Sequence, residues 1–554
     1  MANIPQLIKQ YGKLMEEHRN YEQDWQDIAY YVIPTNRNIQ TRYSPGTSIT
    51  DRLYDAHAIH NNNLLAASMK GAMTNRATKW FSMVFEYEDL NQDHEVRKWL
   101  EQARDITLDY LADSNFYAET HQLYRDTSAF GTGCLYVDKM IDDKENFLGL
   151  VFKTFGLGDY CISEDEQGRV NTLFRKVPMT FVNMVQEFGE ENVPEQVRKY
   201  WKDRPFEKRE VVHCVYPNYY NEDITQPYIS VHYDVKNKLQ LREKGYWQMP
   251  YMVPRWDKIT GEVYGYGPGN VVLPDIRNLN LAMELDFKAW AKTIDPPLEV
   301  VDDGSIVEID LTPAAVNYVR EIGRQIAPIK ITPNLQHTQI NVERLKESIN
   351  RAFYTDQLQL HSGPQMTASE VIARTNEMNR ILGPVLGRLT DELLDPLINR
   401  VFHILLKYGA IPEPPPQVEA KHKEKGVPGN QYRIRYESPL ARAQRSNEMQ
   451  AMQNMLAVLG PVAEQFPEVL DIVDPDKIAR KIAETSGVSE EIMRTDREVQ
   501  KIREQRAQQQ AEMAKRQQMM EEIETVGKAA GGMETLKDMG MLPGGGGGGG
   551  GEEG

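Results

Sequence analysis

The hydrophobic and polar positions between Val272 and Ile294 follow the spacing of an α-helix with one apolar side. The apolar members recur every three or four residues: Val272, Ile276, Leu279, Met283, Phe287, Trp290 and Ile294. Charged and amide side chains lie between them, which predicts one packed face and one solvated face. Pro268 or Pro274 can open this helix because a first-turn N–H has no intrahelical partner, and Asp295-Pro296-Pro297 ends it.

A second helical pattern follows a segment that has the alternation of strands. Val307 to Leu311 and Ile329 to Ile331 alternate apolar with polar residues, as half-buried strands do. Helical spacing then returns through Ile340, Val342, Leu345, Ile349 and Phe353. The pattern predicts two antiparallel helices that carry a small strand-containing domain at their tip. An ordinary helical hairpin with a β excursion is the alternative.

The residues before this unit predict a mixed α+β region that is mainly helical. An amphipathic helix should run from Ile4 through Trp25 to Val32 and end at Pro34, and its apolar stripe requires a packing partner. Further helices are expected over Arg52 to Asn75, Glu95 to Ala112 and Phe116 to Ala129. Strands are expected over Cys134 to Val137, Leu148 to Lys153 and Val211 to Tyr216.

The C-terminal part is predicted to be helical after a surface connection. Pro412 to Pro416 and the charged run Lys421 to Lys425 mark that connection. Asp474 can cap a helix that has Pro475 at its first position and Gly487 just past its end. A long, charged, Gln-rich helix is then expected from Ser489 to about Val526, either solvated or packed on copies of itself. Gly544 to Gly551 begins a flexible acidic tail.

Length and composition indicate a globular protein. The 554 residues suffice for roughly three domains, and 40% of them are hydrophobic. Cys134, Cys161 and Cys214 lie far apart without a CxxC, which suggests neither a zinc site nor a disulfide framework and fits a reducing cytoplasm. Acidic residues interrupt the N-terminal apolar positions, and no uncharged run is long enough to span a bilayer. We expect a protein made in soluble form.

The net charge argues against tight binding of nucleic acid. Lys and Arg total 64 and Asp and Glu total 81, which gives a formal charge of −17. This is the wrong sign for a protein that neutralises phosphates, so any contact with DNA should be weak. The alternative is that the protein never meets DNA, as is the case for most acidic proteins.

Motifs of enzymes and of metal or cofactor sites are nearly absent from the sequence. Gly527-Lys528-Ala529 lacks both the earlier glycine and the following hydroxyl of a phosphate-binding loop. His57 and His60 lack the glutamate and the spacing of a metalloprotease helix, so a structural role is favoured. Gly265, Gly267 and Gly269 alternate but follow no convincing strand of a βαβ unit. We therefore expect no catalytic residue, no metal and no cofactor.

Three segments carry a resemblance to a known family. These are Tyr264-Gly265-Tyr266-Gly267-Pro268, Met366-Thr367-Ala368-Ser369-Glu370-Val371, and Ser438-Pro439-Leu440-Ala441-Arg442-Ala443-Gln444-Arg445. In their order and placement around the helix, insert and helix unit they resemble the head-to-tail connecting (portal) proteins of short-tailed bacteriophages. The resemblance extends over nearly the whole chain.

The resemblance implies a subunit of a ring, with twelve copies at one capsid vertex. Residues 1–261 would form the first part of a wing, 262–295 a first stem helix, 296–336 a clip, and 337–356 a second stem helix. Residues 357–365 would form a tunnel loop and 366–410 the second part of the wing with a long helix. Residues 411–437 would be a connection and strand, 438–530 a crown or barrel of helices, and 531–554 a flexible tail.

The implied function is a channel through which DNA is packaged into and ejected from the capsid. Twelve copies at −17 each carry about −204, so the channel would repel the duplex, with screening beyond roughly 8 Å. The candidate DNA-contacting residues are Lys288, Lys292, Arg344, Lys346, Arg351, Gln357, Gln359 and His361. A plain surface loop is the alternative for the last three residues.

The implied partners are other copies of the chain, double-stranded DNA held weakly and without sequence preference, the ATP-hydrolysing terminase, capsid and scaffolding proteins, and tail adaptor or nozzle proteins. No membrane is implied, and the expected location is the virion vertex after assembly in the host cytoplasm. Two other classes of function stay open. A filamentous or scaffolding interaction protein comes second because of the long Gln-rich helix, and a hydrolase or nuclease comes third.

Overall fold

The computed structural model describes two compact units, Met1–Val458 and Leu459–Gly554. Within them it describes residues 3–36, 38–44, 46–85, 88–142, 144–219, 226–296, 298–301, 310, 312, 315–319, 327–328, 335–358, 382–424, 434–437, 454–459, 461, 466, 474–486, 492–494 and 496–530. The described part combines helices with antiparallel and mixed sheets, which confirms the predicted α+β class.

The helices of the first unit are α1 (Ile4–Tyr31), α2 (His57–Met73), α3 (Glu88–Gln92), α4 (His94–Asp113), α5 (Phe116–Phe130), α6 (Phe181–Phe188), α7 (Glu195–Tyr200), α8 (Pro268–Val271), α9 (Leu273–Ile294), α10 (Leu335–Ala352), α11 (Thr355–Leu358), α12 (Asp395–Lys407) and α13 (Pro416–Glu424). Residues 382–389 are also helical and lead into α12 through the π-helical turn Thr390–Leu394. The second unit contains α14 (Pro475–Ser486) and α15 (Asp496–Ala530).

The strands are β1 (Ser82–Phe85), β2 (Leu135–Ile141), β3 (Phe147–Thr154), β4 (Tyr160–Glu164), β5 (Val170–Thr180), β6 (Lys208–Pro217), β7 (Tyr228–Asp234), β8 (Leu239–Tyr246), β9 (Tyr251–Met252), β10 (Leu298–Val301), β11 (Val316–Val319), β12 (Ala327–Pro328) and β13 (Ile434–Glu437). They pair as β1-β13, β3-β2-β9, β4-β5-β6-β7-β8 and β11-β10-β12. Only β10 and β11 run parallel among these pairs.

The two faces of the five-stranded sheet pack against different helices, because successive side chains along a strand point to opposite faces. Val212 and Cys214 on β6 point to the face covered by the first turns of α1. Val211 belongs to the other face, which packs against Phe181 and neighbouring residues of α6 and α7. The C-terminal half of α1 and helices α2, α4, α5, α9 and α12 share the main core. The packing partner expected for the α1 stripe is therefore found.

Most predicted elements are present, with shifted ends. Helix α2 begins at His57 instead of Arg52, because Asp55 Oδ1 accepts a hydrogen bond from His57 N at 2.7 Å and ends the preceding turn. The predicted strands at Cys134, Leu148 and Val211 are the cores of β2, β3 and β6, whereas β4, β5, β7 and β8 were not predicted. The three cysteines, all within the described part, are buried and have free thiols.

The helix predicted from Ser489 to Val526 begins later and ends later than expected. Its described form, α15, starts at Asp496 and reaches Ala530, and Ile492 to Arg494 are not α-helical. The predicted cap of α14 is confirmed, because Asp474 Oδ1 accepts hydrogen bonds from Asp476 N at 3.0 Å and Lys477 N at 3.2 Å. Gly487 and the tail from residue 531 lie outside the described residues.

The segment between the two long helices contains strands β10, β11 and β12 where the structure describes it, and most of the residues predicted to form strands are not among those described. Val307 to Ile309, Leu311 and Ile329 to Ile331 lie outside the described residues. Asp310 is in no strand, since its Oδ1 accepts a hydrogen bond from Thr312 N at 2.9 Å and so forms a local turn. Strand β10 pairs with β11 and β12 at the end of α9.

Candidate functional site

Helices α9 and α10 form the predicted antiparallel pair, and their inner ends lie in the main core. Ser348 Oγ, near the end of α10, donates a hydrogen bond of 2.6 Å to Asp275 Oδ2 at the start of α9. Ile276 and Leu279 on α9 and Ile349 on α10 are buried in the same cluster. The start of one helix therefore lies beside the end of the other, as the two apolar stripes predicted.

Polar contacts fix the inner end of α9 to the N-terminal segment. Arg277 Nε donates to Asp27 Oδ2 at 2.8 Å, and its Nη2 donates to Asp24 Oδ1 at 3.1 Å on α1. The Asn280 amide accepts from Tyr54 N at 2.8 Å and donates to Arg52 O at 2.9 Å. The loop between α1 and α2 is thereby held against α9.

The inner end of α10 is fixed by Asn350. Its side-chain oxygen accepts from His57 Nε2 at 2.8 Å and from Asn61 Nδ2 at 2.7 Å, both on α2. The structural role predicted for His57 is thus confirmed. The helix stops soon afterwards, because Tyr354 has a φ of 56° and cannot continue it. The second stem helix predicted over 337–356 is therefore two helices, α10 and the short α11.

Glycines bring the segment before α9 into backbone contact with the end of α5. A Cβ on Gly265 would lie 2.1 Å from Gly131 O, and one on Gly269 would lie 2.2 Å from Ala129 O. Gly131 itself ends α5 in the left-handed region, with φ of 79°. The alternating glycines of the sequence therefore serve close packing. Pro268 opens α8 and Pro274 lies in the first turn of α9, so both predicted start positions are used.

A buried ion cluster centred on Arg255 joins this segment to the later helices. The Arg255 side chain is 1% exposed and donates to Glu392 from Nε at 3.2 Å and from Nη2 at 2.6 Å. Its Nη1 donates to Glu164 Oε2 at 2.8 Å and its Nη2 to Gly168 O at 2.6 Å. Lys258 Nζ donates to the same Glu164 carboxylate. These hydrogen bonds satisfy most of the N–H donors of the Arg255 guanidinium. Without them, burial of this charged group would cost free energy because the group loses its hydration.

Glu392 lies in the π-helical turn, and a proline in the sequence explains why this turn forms here. Pro396 supplies no N–H to the carbonyl four residues earlier, and its ring crowds that carbonyl, so the helix widens before it. The hydrogen bond from Asp395 N reaches back to Thr390 O. The long helix predicted within 366–410 is therefore interrupted where it is described, and this interruption presents Glu392 to Arg255.

Several apolar residues on the outer half of α9 are exposed, although the sequence pattern predicted that they would be packed. Phe287 is 52%, Trp290 57% and Ile294 77% exposed, and Leu281 and Leu285 are exposed as well. Within this single chain, the apolar face of α9 is packed only from the start of the helix to about Met283. The predicted packed face is therefore present for that part of the helix. Ile340 on the facing half of α10 is exposed too, while Ile349 is fully buried.

The five predicted DNA-contacting cations lie on these two helices but not in one cluster. Lys288 Nζ lies 2.6 Å from Glu284, Lys346 Nζ lies 3.2 Å from Asp55, and Arg351 lies 3.7 Å from Glu347. Lys292 is half-buried and Arg344 is exposed. An α-helix rises about 1.5 Å per residue. Counted from the contact between Asp275 and Ser348, Lys288 and Lys346 therefore lie about 15–20 Å apart along the helix axes.

The polar loop after α10 is described only at its start. Thr355–Leu358, which spans the predicted boundary between the second stem helix (337–356) and the tunnel loop (357–365), is the short helix α11. Nothing is described of the Gln357 side chain, and Gln359 and His361 lie outside the described residues. Met366 to Val371 and Ser438 to Arg445 also lie outside them. Among the described residues, no group of three or more His, Cys, Asp or Glu side chains is arranged to hold a metal ion.

Comparisons with known proteins bear on the role of this helix pair. The family described as "Bacteriophage head to tail connecting protein" matches residues 5–493. The chain belongs to this family. It is 30% identical over 525 residues to the "Probable portal protein" of Bordetella phage BPP-1 and 30% identical over 523 residues to the "Portal protein" of Salmonella phage epsilon15; each alignment covers 91% of both chains. It is 21% identical over 423 residues to the "Portal protein" of Escherichia phage T7, covering 73% of this chain and 75% of the relative.

Membership of this family confirms the resemblance inferred from the glycine-rich segment and its neighbours, and the function is that of a phage portal, or head-to-tail connector. A connector is a structural component of the virion at the capsid vertex, where it associates with itself and with head and tail components. No described helix is long and apolar enough to cross a membrane. Arg255 and Glu392 were not identified from the sequence, because nothing local connects residues 137 positions apart.

Proposed function

We propose that twelve copies of this chain form a closed ring in which the α9–α10 pairs stand side by side around a channel for double-stranded DNA. In this arrangement residues 1–261 and 366–410 contribute the wing, 262–295 and 337–356 the stem, 296–336 the clip, and 438–530 the crown or barrel. The number twelve rests on the family resemblance. The ring would be assembled in the host cytoplasm and built into one vertex of the capsid.

The exposed outer half of α9 is the observation that supports this proposal. A single soluble chain rarely exposes several large apolar side chains along one helix without a partner for them. Phe287, Trp290 and Ile294 lie at helical spacing and are all more than half exposed. Identical copies related by rotation would each cover the stripe of one neighbour and so bury it around the whole ring.

Weak contact with DNA follows from the charges on the pair. In a channel lined by these helices, Lys288, Lys346 and Arg351 would meet the duplex with a carboxylate of the same chain within 4 Å of each cation. Each phosphate contact would therefore exchange one ion pair for another. With Lys292, Arg344 and the polar side chains of Gln357, Gln359 and His361, such contacts would guide DNA without holding it.

Directional movement of DNA requires a motor, since the sequence has no phosphate-binding loop. We expect the ATP-hydrolysing terminase to dock on the clip, which includes β10, β11 and β12, during packaging. Tail adaptor or nozzle proteins would later occupy the same surface. Scaffolding and major capsid proteins would bind the ring during assembly of the head.

Two other functions are the alternatives to a DNA channel. A scaffolding or filamentous role is favoured by the 35-residue helix α15, which has too few apolar residues to form a core by itself. A hydrolase or nuclease would need a catalytic cleft. A groove of about 1030 Å³ between α1 and the five-stranded sheet is lined by Lys9, Lys13, Glu16, Thr172, Glu243 and other residues, and neither His nor Cys is among its described lining residues.

Electron microscopy of the purified chain tests the proposal. Closed rings with a central hole are expected, whereas a scaffold would give rods or monomers and an enzyme would show metal-dependent turnover. Trp290→Glu combined with Ile294→Glu should prevent ring formation by placing charges in the interface. The matched control is Leu148→Glu on β3, where an equally exposed apolar residue (57%) is altered outside the pair. Rings that form normally with the α9 double variant would contradict the proposed interface.

A further inference from the structure

Four basic side chains lie in one row across the five-stranded sheet. Arg175 of β5 is paired with His213 of β6, and His213 is paired with His232 of β7. His232 is in turn paired with Arg242 of β8. Residues directly opposite one another in antiparallel strands point to the same face, and Val211, two residues from His213, belongs to the face that packs against α6 and α7. We call these four residues the basic row.

The two histidines at the centre of the basic row are buried and in contact. Their rings are stacked, with centroids 4.0 Å apart and planes 12° from parallel. His213 is 2% exposed and His232 is 9% exposed. The Phe188 ring of α6 packs on His232, with ring centroids 5.3 Å apart. Each imidazole is therefore removed from water, which favours its neutral form.

His213 also joins the five-stranded sheet to the three-stranded sheet that contains β9. Its Nδ1 lies 2.7 Å from the Tyr251 hydroxyl on β9, and its Nε2 lies 2.9 Å from Ser230 Oγ on β7. Both partners are 3% exposed. Strand β9 pairs with β2, so one imidazole connects the two sheets. A change in the charge of this ring would therefore act on the contact between them.

A positive charge on either histidine would lack a compensating partner. In the described part neither imidazole is hydrogen-bonded to a carboxylate, and the buried Nδ1 of His232 has no hydrogen-bond partner. On α6, Glu187 is paired with Arg242 at 2.8 Å. On β2, Asp138 is paired with Arg400 of α12 at 3.5 Å. Protonation of the histidine pair would thus create a buried charge without a counter-charge, which costs free energy.

The cations of the sheet add to the cost of such a charge. Arg175 and Arg242 lie opposite the histidines, and like charges in opposite positions of neighbouring strands destabilise a sheet. Lys244 of β8 contributes a further positive charge near His232. Burial is the main cause, and these charges the second, that hold the pKa of His232 at about 3 and the pKa of His213 well below its usual range. In water the pKa of an imidazole is about 6.5, so both rings take up protons once they are opened to solvent.

We infer that the basic row is an acid-sensitive junction, at which proton uptake by His213 and His232 releases β9 and α6 from the five-stranded sheet while the main core stays folded. Because the closed state binds fewer protons than the opened state, the junction is stable above about pH 6.5 and weakens as the pH falls. Between pH 7.5 and pH 5.5 the equilibrium constant for opening should rise about tenfold for each histidine, or about a hundredfold for both. These contacts lie within one chain, so the inference does not depend on the proposed function.

Hydrogen exchange of the purified full chain, measured by mass spectrometry, tests this inference. Exchange is followed under conditions in which its rate reports the opening equilibrium, and each rate is corrected for the intrinsic rate at that pH. Peptides that contain β9 and α6 should open about a hundredfold more at pH 5.5 than at pH 7.5. Peptides from α4, in the main core, are the internal reference and should not follow this change. An equal change in all peptides, or no change in β9 and α6, would overturn the inference.

Two variants assign the effect to the histidines. His232→Phe keeps a ring in the stack and removes one titrating group, so the change should fall to about tenfold. Adding His213→Gln, whose amide can still bond Tyr251 and Ser230, should abolish the difference between the two pH values. His60→Gln, which alters an exposed histidine of α2, is the matched control. If the double variant does not fold, His232→Phe alone decides, because an undiminished hundredfold change in that variant contradicts the inference.

Discussion

Arg255 binds Glu392 through its guanidinium and also through its own backbone N–H, which lies 2.8 Å from Glu392 Oε2. One carboxylate in the π-helical turn thus fixes both the position and the orientation of a buried arginine. The arginine lies in the segment that leads to α8 and α9, which the glycine contacts hold against α5. The direction in which the helix pair leaves the main core depends on this junction.

Replacing Arg255 with Met should destabilise the first unit strongly. It leaves Glu392 without its guanidinium partner, whereas Glu164 keeps Lys258. Because both carboxylates are about one-fifth exposed, we expect a cost of about 3 kcal/mol, at the lower end for a broken buried ion pair. The midpoint of thermal unfolding measured by calorimetry should fall by several degrees. The control is Arg388→Met, since Arg388 pairs with the largely exposed Asp257 and its loss should cost about 1 kcal/mol or less. Equal effects of the two substitutions would show that the cluster has no special role.

Alanine at Gly269 should prevent the close packing of α8 on α5. Its Cβ would lie 2.2 Å from the carbonyl oxygen of Ala129, and neither backbone can move without displacing the start of α9. We expect a loss of about 2 kcal/mol or more in the free energy of unfolding, or failure to fold. Gly383→Ala, where a Cβ meets nothing within 4 Å inside a helix, should raise stability by up to about 1 kcal/mol. A neutral Gly269→Ala in urea unfolding would disprove the packing argument.

Asp126 makes stability depend on pH in an unusual direction. Burial raises the pKa of its carboxyl to about 7, and its Oδ2 has no hydrogen-bond partner. A raised pKa in the folded state means that stability is fully present below about pH 4 and is lost as the pH rises towards 7. Asp126→Asn should therefore gain stability relative to the natural chain between pH 4 and 8, by about 4 kcal/mol at most. Asp109→Asn, which alters an exposed aspartate, is the matched control in calorimetric scans across this range.

Deletion of residues from Gln357 to His361 should preserve rings and impair DNA packaging or retention. The expectation comes from the polar character of this segment and its place after the second stem helix. Ring assembly is read by electron microscopy, and packaged DNA is measured as nuclease-resistant DNA in purified heads. Normal amounts of packaged DNA in the deletion variant would remove the segment from the mechanism.

The apolar stripes made the two helices predictable, but not their environment. Ile276 and Trp290 follow the same spacing in the sequence, yet one lies in the main core and the other in solvent. Periodicity identifies the face of a helix, and only tertiary packing determines how far along the helix that face is covered. The sheet containing β4, β5, β7 and β8 was missed for a related reason. Its strands carry charged residues such as Arg175 and Lys176, which obscure the alternation of a half-buried strand.

The candidate site was only partly accessible from the sequence. The pattern of apolar and polar residues located both helices, because such a pattern is local in the sequence. The five cations predicted to lie on these helices do so in the structure. Their carboxylate partners were not predicted where the partner is distant, as Asp55 is for Lys346. Likewise, Gly131 and Gly265 meet across a fold whose topology is not encoded locally. Whether the five cations contact DNA remains a prediction.

The mass of the purified protein in solution tests the central claim most directly. Twelve copies of a 63.6 kDa chain would give a particle of about 760 kDa. Native mass spectrometry, together with sedimentation at several concentrations, should show one closed species near that mass, and the Trp290→Glu, Ile294→Glu variant should sediment as a single chain. A natural protein that stays at 63.6 kDa at high concentration, and is present in mature virus as separate chains, would contradict the account.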